Sequence, residues 1–489
     1  MAPTQLRALA ASTLMPGFVG TTVPAWIDEA VDGGLRTVCL YGSNITDRAQ
    51  THRLCRSLRG ISTSLLIAVD EEGGDVTRLH FPSGSPEPGN AVLGRLDDVA
   101  STRRSAARIG ADLAAYGIGL DLAPVVDVNS ADDNPVIGTR SFGADPEVVA
   151  RHTVAYVEGL ATQSVAACAK HFPGHGDTHT DSHLDQPVVL ADLDTLHRRE
   201  LVPFRAAIEA GVATVMTSHI LVPALDPSAP ATFSEPILQG VLREELGFTG
   251  VVVTDALDMA GASATQGIPT AAVRALAAGA DLLCLGSDTT PEGYAAVLDA
   301  IVAAVDAGVL DPRRLQDAAV RVAALADVHS LAVGDSQPAA GALPSPTARA
   351  DVASATIAGT FSVSPSLAAW RAGTGPVAIV QVDTRANLAV GPTNWGPAAL
   401  GVTIDPGQVP TDARVAVVGR GIGVDHPARA AAAAYGASGH PVVLVECGWP
   451  FGDVDVDVDV ATYSGSLSVA AALVELLTTS PREALVQPC

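Results

Sequence analysis

Residues 146–171 read PEVVARHTVAYVEGLATQSVAACAKH. From Pro146 to Gln163 the apolar residues return at helical spacing. From Val165 the pattern changes to a short unbroken apolar run, VAACA, which ends on Lys170 and His171. An amphipathic helix feeding a buried strand is the unit of a parallel sheet covered by helices. The same alternation extends outward in both directions. Leu35–Tyr41, Leu65–Val69, Leu120–Val128, Ala213–Thr217, Gly250–Thr254 and Asp281–Leu285 are further buried runs. Leu193–Ala210 and Pro236–Leu246 are further amphipathic stretches. The alternation lasts for about 330 residues, too long for one ordinary open sheet, and fits eight strands and eight helices closed into a TIM-like (β/α)8 barrel.

Beyond the barrel the composition shifts. Gly334–Thr347 (GDSQPAAGALPSPT) has the Pro, Gly, Ser and Ala content of a linker. Val377–Val382, Ala413–Val418 and Pro441–Val445 then predict three more buried strands. The expected division is a barrel over 1–333, a linker over 334–348 and a smaller α/β domain over 349–489. Asp453–Val460 (DVDVDVDV) alternates strictly and reads either as an edge strand with one acidic face or as a solvated loop.

The bulk properties exclude several classes. The 489 residues are 48% hydrophobic and 4% aromatic, so the core is aliphatic and the chain is neither disordered nor collagen-like. No apolar run reaches the roughly 18 residues of a membrane span. Met1–Gly20 carries only Arg7 as a cation and is interrupted by Thr4, Gln5, Ser12, Thr13 and Pro16, so it reads as the start of the fold and not as an export signal. Twenty-nine basic residues against 53 acidic ones leave a net charge of −24, which argues against nucleic acid or an anionic membrane as partner. Six scattered cysteines without a CxxC pair predict buried thiols in a reducing compartment, and a cytoplasmic location is expected. Lys170 is the single lysine. A chain that otherwise uses arginine has kept one compact ammonium group, which differs from guanidinium in donor geometry.

Polar residues recur where the barrel strands end: Asp70 after LLIAV, Asp127 after LAPVV, Lys170 and His171 after VAACA, Ser218 and His219 after ATVMT, and Asp255 after GVVVT. In a parallel barrel those ends share the face on which active sites are built. One strand-end aspartate alone often only caps the next helix. Five such ends predict a polar cup containing Asp70, Lys170, His171 and Asp255. Arg78, in DEEGGDVTR, and Arg140, in IGTRSFGADP, can fold toward it and keep Asp70 ionised.

The segment Lys170–His183 (KHFPGHGDTHTDSH) sets His171, His175, His179 and His183 four residues apart. On a helix that spacing suggests zinc. Pro173, Gly174 and Gly176 oppose a helix, so a loop without metal is expected. Asp181 and His183 lie on one side of an extended segment, where the carboxylate orients the imidazole and raises its pKa. Such a dyad suits general acid/base work near neutral pH, although a solvated or structural histidine has the same local pattern. No phosphate loop follows the first strand, and GRGIG at Gly419–Gly423 is too short a match for a nucleotide site.

Taken together, DEEGGDVTR, IGTRSFGADP, KHFPGHGDTHTDSH and GVVVTDALDM resemble the β-N-acetylglucosaminidases of glycoside hydrolase family 3. The resemblance implies a barrel followed by an α/β sandwich domain. It implies Asp255 as nucleophile, His183 as general acid/base and Asp181 as its orienting partner. Asp70, Arg78, Arg140, Lys170 and His171 match the positions that hold the sugar. The first loop departs from the family at Glu71 and Asp75, where glutamine and arginine are expected. The implied activity is a retaining exo-acting β-N-acetylglucosaminidase without metal or organic cofactor, acting on sugars from cell-wall or chitin turnover. Alternatives are a phosphorylase, a dual enzyme that also cleaves β-glucosides, and a non-catalytic carbohydrate- or metal-binding protein.

Overall fold

A computed structural model describes residues 2–180, 186–264, 266–334, 352–383, 389–450 and 458–478. Asp181 and His183, residues 335–348 of the expected linker, residues 349–351 of the expected second domain, and residues 453–457 of the DVDVDVDV tract lie outside the described residues. Eight short strands form the first unit: β1 (Leu14–Met15), β2 (Thr37–Leu40), β3 (Leu66–Val69), β4 (Leu120–Asp121), β5 (Ala166–Phe172), β6 (Thr214–Thr217), β7 (Val251–Val253) and β8 (Leu283–Cys284). β2 to β7 lie side by side in sequence order, all parallel. β8 joins β7 through the Val253–Leu282 bridge and pairs with β1 at Leu14–Leu283. Cys39 N–H then donates to Pro16 O at 3.0 Å, which closes the ring between β1 and β2. The result is the (β/α)8 barrel. Six of its strands fall within the apolar runs of the sequence, and β5 runs on from its own through Lys170 and His171 to Phe172; β1 does not stand out there, because Leu14–Met15 lies between Thr13 and Pro16 and belongs to no apolar run.

Local chemistry explains the helix of the opening stretch. Asp145 accepts from Glu147 N at 2.9 Å and caps Pro146–Ala161, and Pro146 occupies the first turn, where its missing N–H costs nothing. Val149, Tyr156, Val157 and Leu160 give it a buried face. The helix ends four residues before β5, whose seven residues are all buried.

Strand parity divides the barrel into two layers. Leu66, Ala68, Ala166, Cys168, Val251 and Val253 pack together in the lumen, with Met15, Cys39, Leu120 and Cys284. The alternate residues Ile67, Val69, Ala167, Ala169 and Val252 pack outward under the helices. Val322, Leu325 and Ala326 of the long helix Pro312–Gly334 join the lumen cluster.

The second unit is a five-stranded sheet in the order β10 (Val377–Gln381), β11 (Arg414–Gly419), β12 (Val442–Glu446), β13 (Val460–Ala461) and β9 (Ser362–Val363), with only β9 antiparallel. With helices packed on it, it forms the α/β sandwich. Its core also takes in Ala91 and Val92 from the first unit. The described end of the DVDVDVDV tract lies inside this sheet, between β12 and β9, and not at an edge. Asp459 there accepts from Leu444 N at 2.8 Å. In the GRGIG turn, Gly421 N and Ile422 N donate to the carboxylate of Glu446 at 2.9 and 2.5 Å. A protein carboxylate fills the N–H cradle that a phosphate would need. Burial pushes Glu446 up to about 7.

Candidate active site

The lumen parity carries on to the strand ends and, at β3 and β7, past them. Asp70 follows Leu66 and Ala68, Lys170 follows Ala166 and Cys168, and Asp255 follows Val251 and Val253, each at the next inward step. These three side chains therefore meet over one end of the apolar lumen. They line a common cavity with Arg78, Arg140 and His171. Of the eight residues the sequence singles out for catalysis or sugar binding, these six line one cavity, and the other two, Asp181 and His183, lie outside the described residues.

The cavity has a tightly paired electrostatic floor. Lys170 Nζ lies 2.7 Å from Asp70 Oδ1 and 2.7 Å from Glu72 Oε1. Arg140 donates to both oxygens of Glu72, from Nε at 2.9 Å and from Nη2 at 2.8 Å. Lys170 and Glu72 are each 2% exposed. Burial alone would raise the Glu72 carboxyl, but the Arg140 and Lys170 cations beside it hold it well below the usual carboxylate range. The cation on Asp70 is thus Lys170, and Arg140 reaches the site through Glu72. Glu72 carries no local signal of its own in the sequence; the one pointer to it is the lone lysine on a buried strand, which requires counter-charge.

His171 is oriented from behind. Asp127, fully buried, accepts from His171 Nδ1 at 2.7 Å and from the backbone N–H groups of His171 at 3.2 Å and His175 at 2.7 Å. Burial favours the neutral acid, yet the His171 ring overrides it and lowers the Asp127 pKa. Because Nδ1 carries the shared proton, Nε2 turns to Arg140 Nη2 at 3.4 Å. Asp127 is therefore a support behind the cavity, not a wall of it.

His171, His175 and His179 do not line one helical face, because the described segment after β5, residues 173–180, is a loop. His175 pairs with Thr178 at 2.8 Å, and exposed His179 pairs with Asp133. Burial brings the His175 pKa down to about 4. Ser218 and His219 fall into the core. Ser218 Oγ donates to Phe172 O at 2.8 Å, and His219 spans Thr232 Oγ1 and Ala256 O at 2.9 and 3.0 Å.

Two further contributions come from outside the strand ends. Asp258, three residues after Asp255, lines the cavity, and burial raises its pKa. The second unit supplies Ala389 to the lining. Arg78 Nη2 donates to Ala389 O at 2.8 Å, so this guanidinium is held by the backbone of the other unit. The two departures in the first loop have local explanations. Glu71 accepts from Thr77 Oγ1 at 2.6 Å and from Arg78 N and Leu79 N at 2.8 and 2.9 Å, capping the turn that carries Arg78. Asp75 accepts from Thr139 Oγ1 at 2.8 Å and from Gly465 N of the second unit at 2.9 Å.

Known proteins share this architecture. Residues 21–325 match the glycosyl hydrolase family 3 N-terminal domain. A β-hexosaminidase A of Pseudoalteromonas piscicida is 38% identical over 288 residues, which is 54% of this chain; the match covers 48% of that relative, about half its length. A β-hexosaminidase of Thiobacillus denitrificans is 39% identical over 251 residues, covering 50% of this chain and 69% of the relative. The solved structure of a glycoside hydrolase family 3 β-N-acetylglucosaminidase from Paenibacillus sp. superposes with a TM-score of 0.81 at 30% identity, covering 96% of each chain.

Proposed function

The chain belongs to glycosyl hydrolase family 3, and we propose that it is a retaining, exo-acting β-N-acetylglucosaminidase. The observation that carries this reading is the cavity in which Asp255 faces the Asp70–Lys170–Glu72–Arg140 network. The names of the relatives and the shared architecture with the Paenibacillus enzyme support it. In the first step Asp255 attacks the anomeric carbon, the bond to the leaving oxygen breaks, and His183 gives that oxygen its proton. Asp181 orients His183. In the second step His183 takes a proton from water, whose oxygen displaces Asp255. Asp70, Arg78, Arg140, Lys170 and His171 hold the sugar in this scheme. The functional division is a catalytic barrel over 1–333 and an α/β domain over 349–489, which adds Ala389 and the clamp on Arg78.

The charge of the cavity favours water over phosphate as the acceptor. Lys170 and Arg140 are already neutralised by Asp70 and Glu72, and Asp258 adds a further acidic group. Substrates from cell-wall or chitin turnover and a cytoplasmic location complete the proposal. Among the described residues no helix is long and apolar enough to cross a membrane.

The test is a panel of aryl glycosides with and without millimolar phosphate, combined with a 2-fluoro sugar that traps the covalent enzyme. Turnover of the N-acetylglucosaminide to free sugar, a label on Asp255 and near-total loss in Asp255→Ala are expected. Equal turnover of the glucoside would make the enzyme dual. Release of sugar 1-phosphate, or a label elsewhere, would overturn the assignment.

A further inference from the structure

The loop that follows β5 is rooted by groups that take no part in the scheme above. Asn134 Nδ2 donates to His175 O at 2.9 Å and to Gly176 O at 3.2 Å. Arg199, at the start of the next helical segment, forks between two carboxylates: Nε meets Glu200 Oε1, and Nη2 meets Asp177 Oδ2, each at 2.5 Å. Glu200 is 1% exposed, and its Oε2 has no hydrogen-bond partner among the described residues. That oxygen lies against Gly174, where an added Cβ would stand 2.6 Å from it. Glu200 ends a stretch, Leu196–Glu200, wound as a π-helix, a distortion that tends to occur at functional sites. The helical segment therefore grips the loop at two points, Gly174 and Asp177. Asp177 precedes Asp181 by four residues and His183 by six.

We propose that Asp177, Arg199 and Glu200 form the anchor that positions the acid/base dyad, with Arg199 tying the loop to the helix and buried Glu200 fixing the arginine fork. The inference rests on His183 being the general acid/base. The three are positioning residues: their effect passes through the placement of His183. An anchor of this kind matters only where proton donation matters. General acid catalysis contributes roughly 10²–10⁴-fold, and a misplacement of about 1 Å can cost about 10²-fold. Lysine at 199 presents a point charge instead of a planar fork and cannot hold both carboxylates in the same way.

The experiment compares kcat/KM on a dinitrophenyl and an alkyl N-acetylglucosaminide for the full chain carrying Asp177→Asn, Arg199→Lys, Arg199→Met or His183→Ala. Thermal unfolding is followed in parallel. Asp177→Asn is expected to lose about 10- to 100-fold on the alkyl substrate and less than about 3-fold on the dinitrophenyl one. Arg199→Met should show the same split, and Arg199→Lys a smaller one. A uniform loss on both substrates, or none, in Asp177→Asn and Arg199→Met while His183→Ala retains the split would overturn the anchor and leave the acid assignment standing. Absence of the split in His183→Ala would remove the acid assignment, and the anchor with it.

Discussion

Glu72 is the residue whose replacement probes the cavity floor most directly. Its carboxylate accepts from Lys170 at 2.7 Å and from Arg140 at 2.8 and 2.9 Å, and all three side chains are buried. Glu72→Gln keeps the shape, removes the charge and turns one acceptor into a donor that faces an arginine or lysine N–H. Lys170 then keeps Asp70 as its counter-charge, while Arg140 loses its ion pair with Glu72. Removing one partner from a buried charge network typically costs about 3–5 kcal/mol. With an unfolding entropy of about 2.1 cal/mol/K per residue over about 330 residues, that corresponds to a fall in Tm of about 4–7 °C for the barrel transition. The pH dependence has a definite sign. The folded pKa of Glu72 is depressed, so its stabilisation is complete above its unfolded value of about 4.3 and is lost as pH falls through the lower folded value. Scanning calorimetry from about pH 8 to about pH 5 should show a constant gap between wild type and variant, which narrows only below about pH 4. A variant within about 1 °C of wild type at neutral pH, or a gap that widens in acid, would refute the reasoning.

Asp127→Asn removes the charged acceptor that holds Nδ1–H of His171, a loss of about 1.5–3 kcal/mol, read as an about 10- to 100-fold rise in KM on an aryl N-acetylglucosaminide. An unchanged KM would mean that His171 does not bind the sugar. Gly176→Ala places a methyl 1.7 Å from Val128 O, with nothing flexible to yield, so the loop root must shift. We expect a loss of about 1–3 kcal/mol in stability, followed by thermal unfolding, and a neutral substitution would refute the role of this close approach in fixing the loop root.

Local pattern carried much of this protein. Apolar runs of four or more residues mark a strand whatever surrounds it, so seven barrel strands and β10, β11 and β12 were legible. The shared face of Asp70, Lys170 and Asp255 was legible too, since the C-terminal strand ends of a parallel barrel collect on one side. The strands β1, β9 and β13 were not: unlike the equally short β4 and β8, they lie in no unbroken apolar run and are defined only by the neighbours they pair with. Partners were equally hidden. Which carboxylate neutralises Lys170 depends on how the turn after β3 lays Glu72 across the lumen, a matter of distances between segments 98 residues apart in the chain, from 72 to 170. The same holds for Asp127 behind His171, for Arg199 on Asp177, and for the backbone of Ala389 under Arg78. A sequence read locally reports which groups need a partner, because a charge on a buried strand is costly unless it is paired. Only the closed barrel and the second domain packed against it decide which partner comes within 3 Å, since Coulomb and hydrogen-bond energies depend on separation in space and not along the chain.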